Sequence, residues 1–152
     1  MKTILAPVDF SGATEAVVTE AAALAKVLAG KVVLMAVIQP PAITSEYAAL
    51  MENIGEITAA GEKHAAKRLA ALEQQLKAAG VAAESVQLVG APMPLIVQQA
   101  EKSGADYIVM GSHGHTAFYD LLVGSTTHGV LMRAKCPVVI VPAARKPKHR
   151  TD

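Results

Sequence analysis

A chain of 152 residues is one domain's worth, long enough to bury roughly two-thirds of its unfolded surface without a disulfide or metal staple. At 52% hydrophobic and 18% charged residues, the composition excludes a disordered chain. The net charge of +1 is unevenly spread: Arg145, Lys146, Lys148 and Arg150 against Asp152 put +3 in the last eight residues and leave the body at about −2, a poor surface for nucleic acid.

The predicted elements alternate along the chain. Thr3 to Val8 is a short apolar run closed by Asp9, as expected of a strand buried on both faces. Asp9-Phe10-Ser11-Gly12 carries turn and cap residues. The stripe Ala16, Val17, Ala21, Leu24 and Leu28 predicts a helix over 13–29, stopped at Gly30. Lys31 to Ile38 is a second apolar strand, closed by Pro40-Pro41. Residues 40–54 show no period and read as a surface loop with at most one helical turn. From about Glu56 a helix is predicted on Ala65, Leu69, Leu72 and Leu76, with Gly80 as its stop. Glu84 to Val89 is a third strand, Pro92 to about Lys102 a short helix, and Asp106 to Met110 a fourth strand. A glycine-rich loop, a helix near 122–134 and a strand from Pro137 to Val141 complete the pattern. Such alternation implies an α/β fold, a parallel sheet with helices on both faces.

The opening apolar run is too short for a signal peptide, and no stretch is long and apolar enough to span a bilayer. With a single cysteine, Cys136, no internal disulfide can form. The expected location is the cytoplasm, with one domain over 1–143 and a solvated basic tail over 144–152.

In open parallel sheets, ligands bind beyond the carboxyl ends of the strands, where strand order reverses. Two loops there carry chemistry. One is Asp9-Phe10-Ser11. The other reads Met110-Gly111-Ser112-His113-Gly114, then nine residues, then Gly124-Ser125-Thr126-Thr127. Glycines let backbone approach an anion and take up positive φ. Hydroxyls and free N–H groups at a helix start can donate to phosphate oxygens. The spacing would arise by chance in about 0.6% of chains this long. The alternative is a tight turn at Gly111 and Gly114 followed by a helix cap at Gly124-Ser125, and Asp9 by itself reads equally well as a cap.

Other chemistries fit less well. The lysine-bearing phosphate loop and the three-glycine dinucleotide loop are absent. A phosphoacceptor receiver would want a carboxylate after strand three, and Gln87-Leu88-Val89-Gly90 offers none. His113 and His115, with only Asp120 nearby in sequence, make a weak zinc signal. No Lys or Arg lies between Met110 and Met132, so although Asp9, His113 and Asp120 are conceivable bases, the loop lacks a cation for a γ-phosphate.

Over residues 2–142 the sequence resembles a single-domain universal stress protein. The resemblance rests on Ile4 to Ser11, Gly90-Ala91-Pro92, Ala105 to Gly114, Leu121 to Thr126 and Cys136 to Pro142. It implies a five-stranded parallel sheet of order 3-2-1-4-5 and, because the glycine-spaced pattern is intact, the ATP-binding branch. By position it places Pro7 and Val37 against the adenine. Asp9 would lie near ribose and phosphates, through Mg2+ or Mn2+. Gly111, His113, Gly114, Gly124, Ser125 and Thr126 would hold ribose and phosphates, and Met110 would also bind the nucleotide. It further implies a homodimer through the edge strand Pro137–Pro142. Thr116 departs from the small or glycine residue common there, and 40–54 is the family's variable segment, so neither loop flexibility nor a lid over the nucleotide follows. The expected role is ATP binding in stress regulation, with slow hydrolysis or none and no nucleic-acid or membrane partner. A nucleotide-independent interaction module and a slow Mg2+-dependent ATP hydrolase are the competing readings.

Overall fold

The computed structural model describes residues 1–40, 51–113 and 123–142, with 51–54 described by their backbone alone. Five parallel strands form one sheet: β1 (Thr3–Pro7), β2 (Lys31–Ile38), β3 (Ala82–Val89), β4 (Tyr107–Gly111) and β5 (Val138–Val141), in the order β3-β2-β1-β4-β5. Four helices connect them: α1 (Thr14–Leu28), α2 (Met51–Ala78), α3 (Pro92–Ser103) and α4 (Ser125–Arg133). The expected fold and strand order are both found.

The apolar runs of β1, β2 and β4 follow from burial on both faces. Ile4, Ala6, Val32, Leu34 and Val109 face α1 and α2; Leu5, Val33, Met35, Ile108 and Met110 face α3 and α4. Ile4, Leu5, Leu34 and Ile108 are completely buried, each side chain contributing about 1.5–3 kcal/mol from apolar burial. These two clusters lie on opposite faces of the sheet. Among the described residues no helix is long and apolar enough to cross a membrane.

Pro7 shapes the region that matters for ligands. The Val8 amide donates to the Met35 carbonyl of β2 at 2.8 Å. Alternation along a strand therefore turns the position of the Pro7 nitrogen toward β4, and proline has no hydrogen to donate. The β1–β4 ladder runs only through Ile4↔Tyr107 and Leu5↔Ile108, whereas β1–β2 continues to Pro7↔Met35. The sheet thus parts between β1 and β4 at its carboxyl end, where strand order reverses.

Several boundaries differ from the sequence expectation. Helix α2 begins at Met51, inside the stretch read as loop. Most of its residues from 55 to 64 are exposed, and a helical turn that packs on little carries no apolar stripe to read. Strand β3 starts at Ala82, two alanines of low β-propensity before Glu84. Helix α4 starts at Ser125, not 122. Helix α1 closes on Ala29, which itself takes the left-handed conformation at φ 51. Gly30 is needed for space instead: a Cβ there would sit 2.5 Å from the Lys2 carbonyl oxygen. Cys136 is half-buried, and burial, aided by Asp106, pushes its thiol pKa up, as suits a packed thiol more than a reactive one.

Candidate functional site

A cleft of about 230 Å³ opens where β1 and β4 part. Pro7, Asp9, Val37, Met110, Gly111, His113, Gly124, Ser125 and Thr126 all line it. Gly114, the remaining candidate, lies outside the described residues, as do His115, Thr116 and Asp120.

The wall after β1 is built by local turn chemistry. Asp9 Oδ1 accepts the Ser11 amide at 3.0 Å, and Ser11 Oγ accepts the Ala13 amide at 3.4 Å. These bonds carry the chain from the strand into α1. Phe10, between them, has φ 60. Asp9 thus closes a turn ahead of α1, whose N-cap position is Ala13, so it does not cap the helix, and it also stands on the cleft wall.

The opposite wall joins both halves of the glycine-spaced segment. The Ser112 amide donates to the Val141 carbonyl at 2.9 Å, and the Gly124 amide to the Ser112 carbonyl at 2.6 Å. Thr127 Oγ1 donates to the Gly111 carbonyl at 2.8 Å. Ser112 Oγ lies 3.1 Å from His113 Nδ1. The start of α4 is thereby moored to the end of β4. Gly124 caps α4 in an extended conformation with no side-chain cap bond, so the N–H groups of Ser125, Thr126 and Thr127, which have no intrahelical acceptors, begin the helix at the cleft.

Two readings of this segment are corrected by the geometry. Gly111 and Gly124 are not at positive φ; room is short at Gly111 and ordinary at Gly124. A Cβ on Gly111 would meet Ala13 Cβ and the His113 carbonyl oxygen, each at 3.3 Å, and one on Gly124 would lie 3.5 Å from the Ser112 carbonyl oxygen. The Thr127 hydroxyl, read as a phosphate donor, is committed to the Gly111 carbonyl.

The cleft is two-sided in chemistry. Met35, Val37, Ile96 and Met110 make an apolar wall, and the α4 start, His113 and Asp9 make a polar one. No Lys or Arg is among the described residues lining it. Sequence reasoning missed Val8, Met35, Gln39, Ala13, Thr14, Val17, Pro92 and Ile96. Alternation along β2 places Met35 and Gln39 on the face of Val37, and that signal was available. Helical spacing similarly links Thr14 to Val17. Pro92 and Ile96 reach the cleft only through the packing of α3, which leaves no local mark. Among the described residues no three His, Cys, Asp or Glu side chains stand together as a ready metal site.

An open parallel sheet with a cleft at its point of reversal, walled by a strand-end turn and a helix start, is the architecture of the doubly wound ligand-binding domains. The chain belongs to the universal stress protein family, whose profile matches residues 1–142. It is similar to universal stress protein MJ0577 of Methanocaldococcus jannaschii, at 29% identity over 152 residues, covering 92% of this chain and 94% of the relative. The solved structure of hypothetical protein MJ0577 superimposes with a TM-score of 0.82 at 30% identity, covering 95% of this chain and 98% of that one. Universal stress protein UspA from Lactobacillus plantarum gives 0.83 at 27% identity, covering 92% and 97%. Two more distant structures share the fold. One is a universal stress protein in complex with cAMP, with TM-score 0.70 at 24% identity, covering 94% and 98%. The other is the universal stress protein from Archaeoglobus fulgidus in complex with dAMP, with 0.64 at 23%, covering 92% and 97%.

Proposed function

We propose that this chain binds an adenine nucleotide, ATP foremost, in the cleft between β1 and β4, and acts as a nucleotide-dependent stress regulator with little or no hydrolysis. The observation that carries this reading is the mooring of the α4 start to the end of β4 opposite an apolar wall. One side suits phosphates and the other a base. The adenine lies against Pro7 and Val37. Ribose and phosphates lie along Gly111, His113, Gly114, Gly124, Ser125 and Thr126, and Met110 meets the nucleotide from the apolar wall. The complexes of two distant members of the fold with cAMP and dAMP support an adenine ligand.

Asp9 is the carboxylate among the described residues of the cleft wall. Mg2+ or Mn2+ bound with a nucleotide commonly takes one or two carboxylates and fills its shell with phosphates and water, so Asp9 fits that role and the ion would supply the positive charge the protein withholds. With no Lys or Arg among the described residues lining the cleft, charge building on a transferring γ-phosphoryl group meets no side-chain cation there. Binding is therefore the function, and turnover is slow or absent.

Strand β5 closes one side of the sheet and, among the described residues, pairs only with β4. Its open edge favours pairing with a second copy, Pro137–Pro142 against Pro137–Pro142, giving a cytoplasmic homodimer.

A thermal-shift series with ATP, ADP, AMP and Mg2+ tests the binding. Ligand at one hundred times its Kd adds about 2.7 kcal/mol, which raises Tm by roughly 5–11 °C in a domain of this size. No shift with any nucleotide at millimolar concentration would overturn the reading in favour of an interaction module. Phosphate release at enzyme-like rates in a single-turnover assay, lost in Gly124→Val, would replace it with an ATP hydrolase.

A further inference from the structure

A second hollow, of about 200 Å³, lies between α1 and α2 and is lined by Phe10, Thr14, Arg68, Ala71, Leu72 and Gln75. It adjoins the nucleotide cleft, because Thr14 lines both. Three observations single it out. The Thr14 hydroxyl is buried and has no hydrogen-bond partner among the described residues. A helical threonine ordinarily turns its hydroxyl back to the carbonyl four residues earlier, but that residue is Phe10, at φ 60 and outside the helix. Buried polar groups are nearly always paired, so an orphan hydroxyl on a residue that lines the hollow marks a place where something polar belongs. Next, the Arg68 guanidinium carbon lies 4.5 Å from the centre of the Phe10 ring and forms no ion pair with a described residue. Stacking fixes the guanidinium plane and leaves its N–H edges free to donate. Lastly, no carboxylate is among the described residues lining the hollow, and Gln75 adds an amide to the donors. Thr14 is also the first residue of α1, so the positive end of that helix lies alongside.

The geometry points to a binding site for a phosphate group in this hollow, held by the Arg68 guanidinium, the Thr14 hydroxyl and the Gln75 amide, with Leu72, Ala71 and the Phe10 ring as its apolar sides. The guanidinium fork matches two phosphate oxygens and the hydroxyl meets a third. The phosphate has two sources consistent with this chemistry. It is either a small free phosphate or the far end of a phosphate chain reaching past Thr14 from the neighbouring cleft. The site stands on its own donors and does not depend on the nucleotide reading of that cleft.

The test is titration of nucleotide-free protein with inorganic phosphate, then with AMP and ATP, at constant ionic strength, followed residue by residue in amide NMR spectra. Phosphate is expected to shift the Phe10, Thr14 and Leu72 amides, and its affinity to fall at least tenfold in Arg68→Gln and in Thr14→Val. Thr14→Val is nearly isosteric and removes the orphan hydroxyl, so its Tm without ligand should equal or exceed that of the parent. If Arg68→Gln leaves phosphate binding intact but weakens ATP at least tenfold and AMP not at all, the site holds the end of the nucleotide's own chain. Phosphate shifts confined to Gly111 and Ser125, with ATP and phosphate affinities unchanged in Arg68→Gln, would overturn the proposal. Failure of AMP and ATP to bind, with phosphate still lost in Arg68→Gln, would instead overturn the nucleotide reading and leave this one standing.

Discussion

Thr127, in the first turn of α4, donates its hydroxyl hydrogen across 2.8 Å to the backbone carbonyl of Gly111, the last residue of β4. Thr127 is 4% exposed, so the donor side of the bond is shielded from water. It fixes the distance between the two ends of the glycine-spaced segment, whatever course residues 114–122 take between them. Thr127→Val keeps the shape and deletes the donor, leaving the Gly111 carbonyl short of a partner. The expected cost is about 1–3 kcal/mol, read as a lower urea midpoint with an unchanged slope. Thr127→Ser should recover most of it. AMP affinity should fall with the valine and return with the serine.

The two glycines of that segment should separate folding from binding. At Gly124 a methyl group makes only ordinary contacts and the backbone is at φ −68, so Gly124→Ala should cost about 1 kcal/mol or less. At Gly111 the methyl is pressed between Ala13 Cβ and the His113 carbonyl at 3.3 Å, and Gly111→Ala should cost about 1–3 kcal/mol. With nucleotide in the cleft, Gly124→Val should remain folded by circular dichroism and lose roughly tenfold or more in ATP affinity, about 1.4 kcal/mol. Unchanged affinity in a folded Gly124→Val protein would remove the α4 start from the ligand site.

Asp106 gives stability a dependence on acid. Its Oδ2 accepts the Thr3 amide at 2.8 Å, and its Oδ1 lies 3.4 Å from Lys2 Nζ. The Thr3 hydrogen bond, helped by Lys2, holds its carboxyl below the ordinary carboxylate range. A carboxylate whose folded pKa is depressed stabilises fully above its unfolded value, about 3.9, and that contribution disappears as pH falls through the folded value. The urea midpoint should therefore drop below about pH 4, and the drop should be smaller in Asp106→Asn. It should not vanish, because Glu73, held down by Lys77 and Ser85, is shifted in the same direction.

The proposed dimer makes its own prediction. Val141 is 7% exposed and belongs to the core, and Val139 packs against that same cluster, so charging either would confuse unfolding with dissociation. Ile140 is half-buried and belongs to neither apolar cluster. Ile140→Lys should give a monomer by sedimentation velocity with Tm changed little at low concentration. A dimer of undiminished stability in that variant would exclude the β5 edge as the interface.

Legibility in the sequence followed burial. Strands β1, β2 and β4 announce themselves as unbroken apolar runs because helices cover both their faces. Strand β3 lies at the edge, with Ala82, Glu84 and Ser85 exposed, and its start is blurred. The first turns of α2 leave no pattern because they rest on little. At the site, every described candidate stands on the cleft because strand ends and helix starts are marked by local residues: Pro7, Asp9, Gly111, Gly124. Met35 and Ile96 are contributed by elements that read simply as core, and their share in the cleft depends on how those elements pack. Thr14 was invisible for another reason. Its oddity is a missing partner, and only three dimensions can show that.

The cleft is also where the two apolar clusters come to a common end. Val8 and Val17 belong to the cluster under α1 and α2, and Met35, Ile96 and Met110 to the one under α3 and α4. Elsewhere the sheet stands between them like a partition. A molecule seated in the cleft would touch both sides of that partition at once, so filling it would tie together two helix layers that the sheet keeps apart. News of occupancy could then be read on the outer surface of either helix layer, far from the pocket, as a change in how freely that layer breathes.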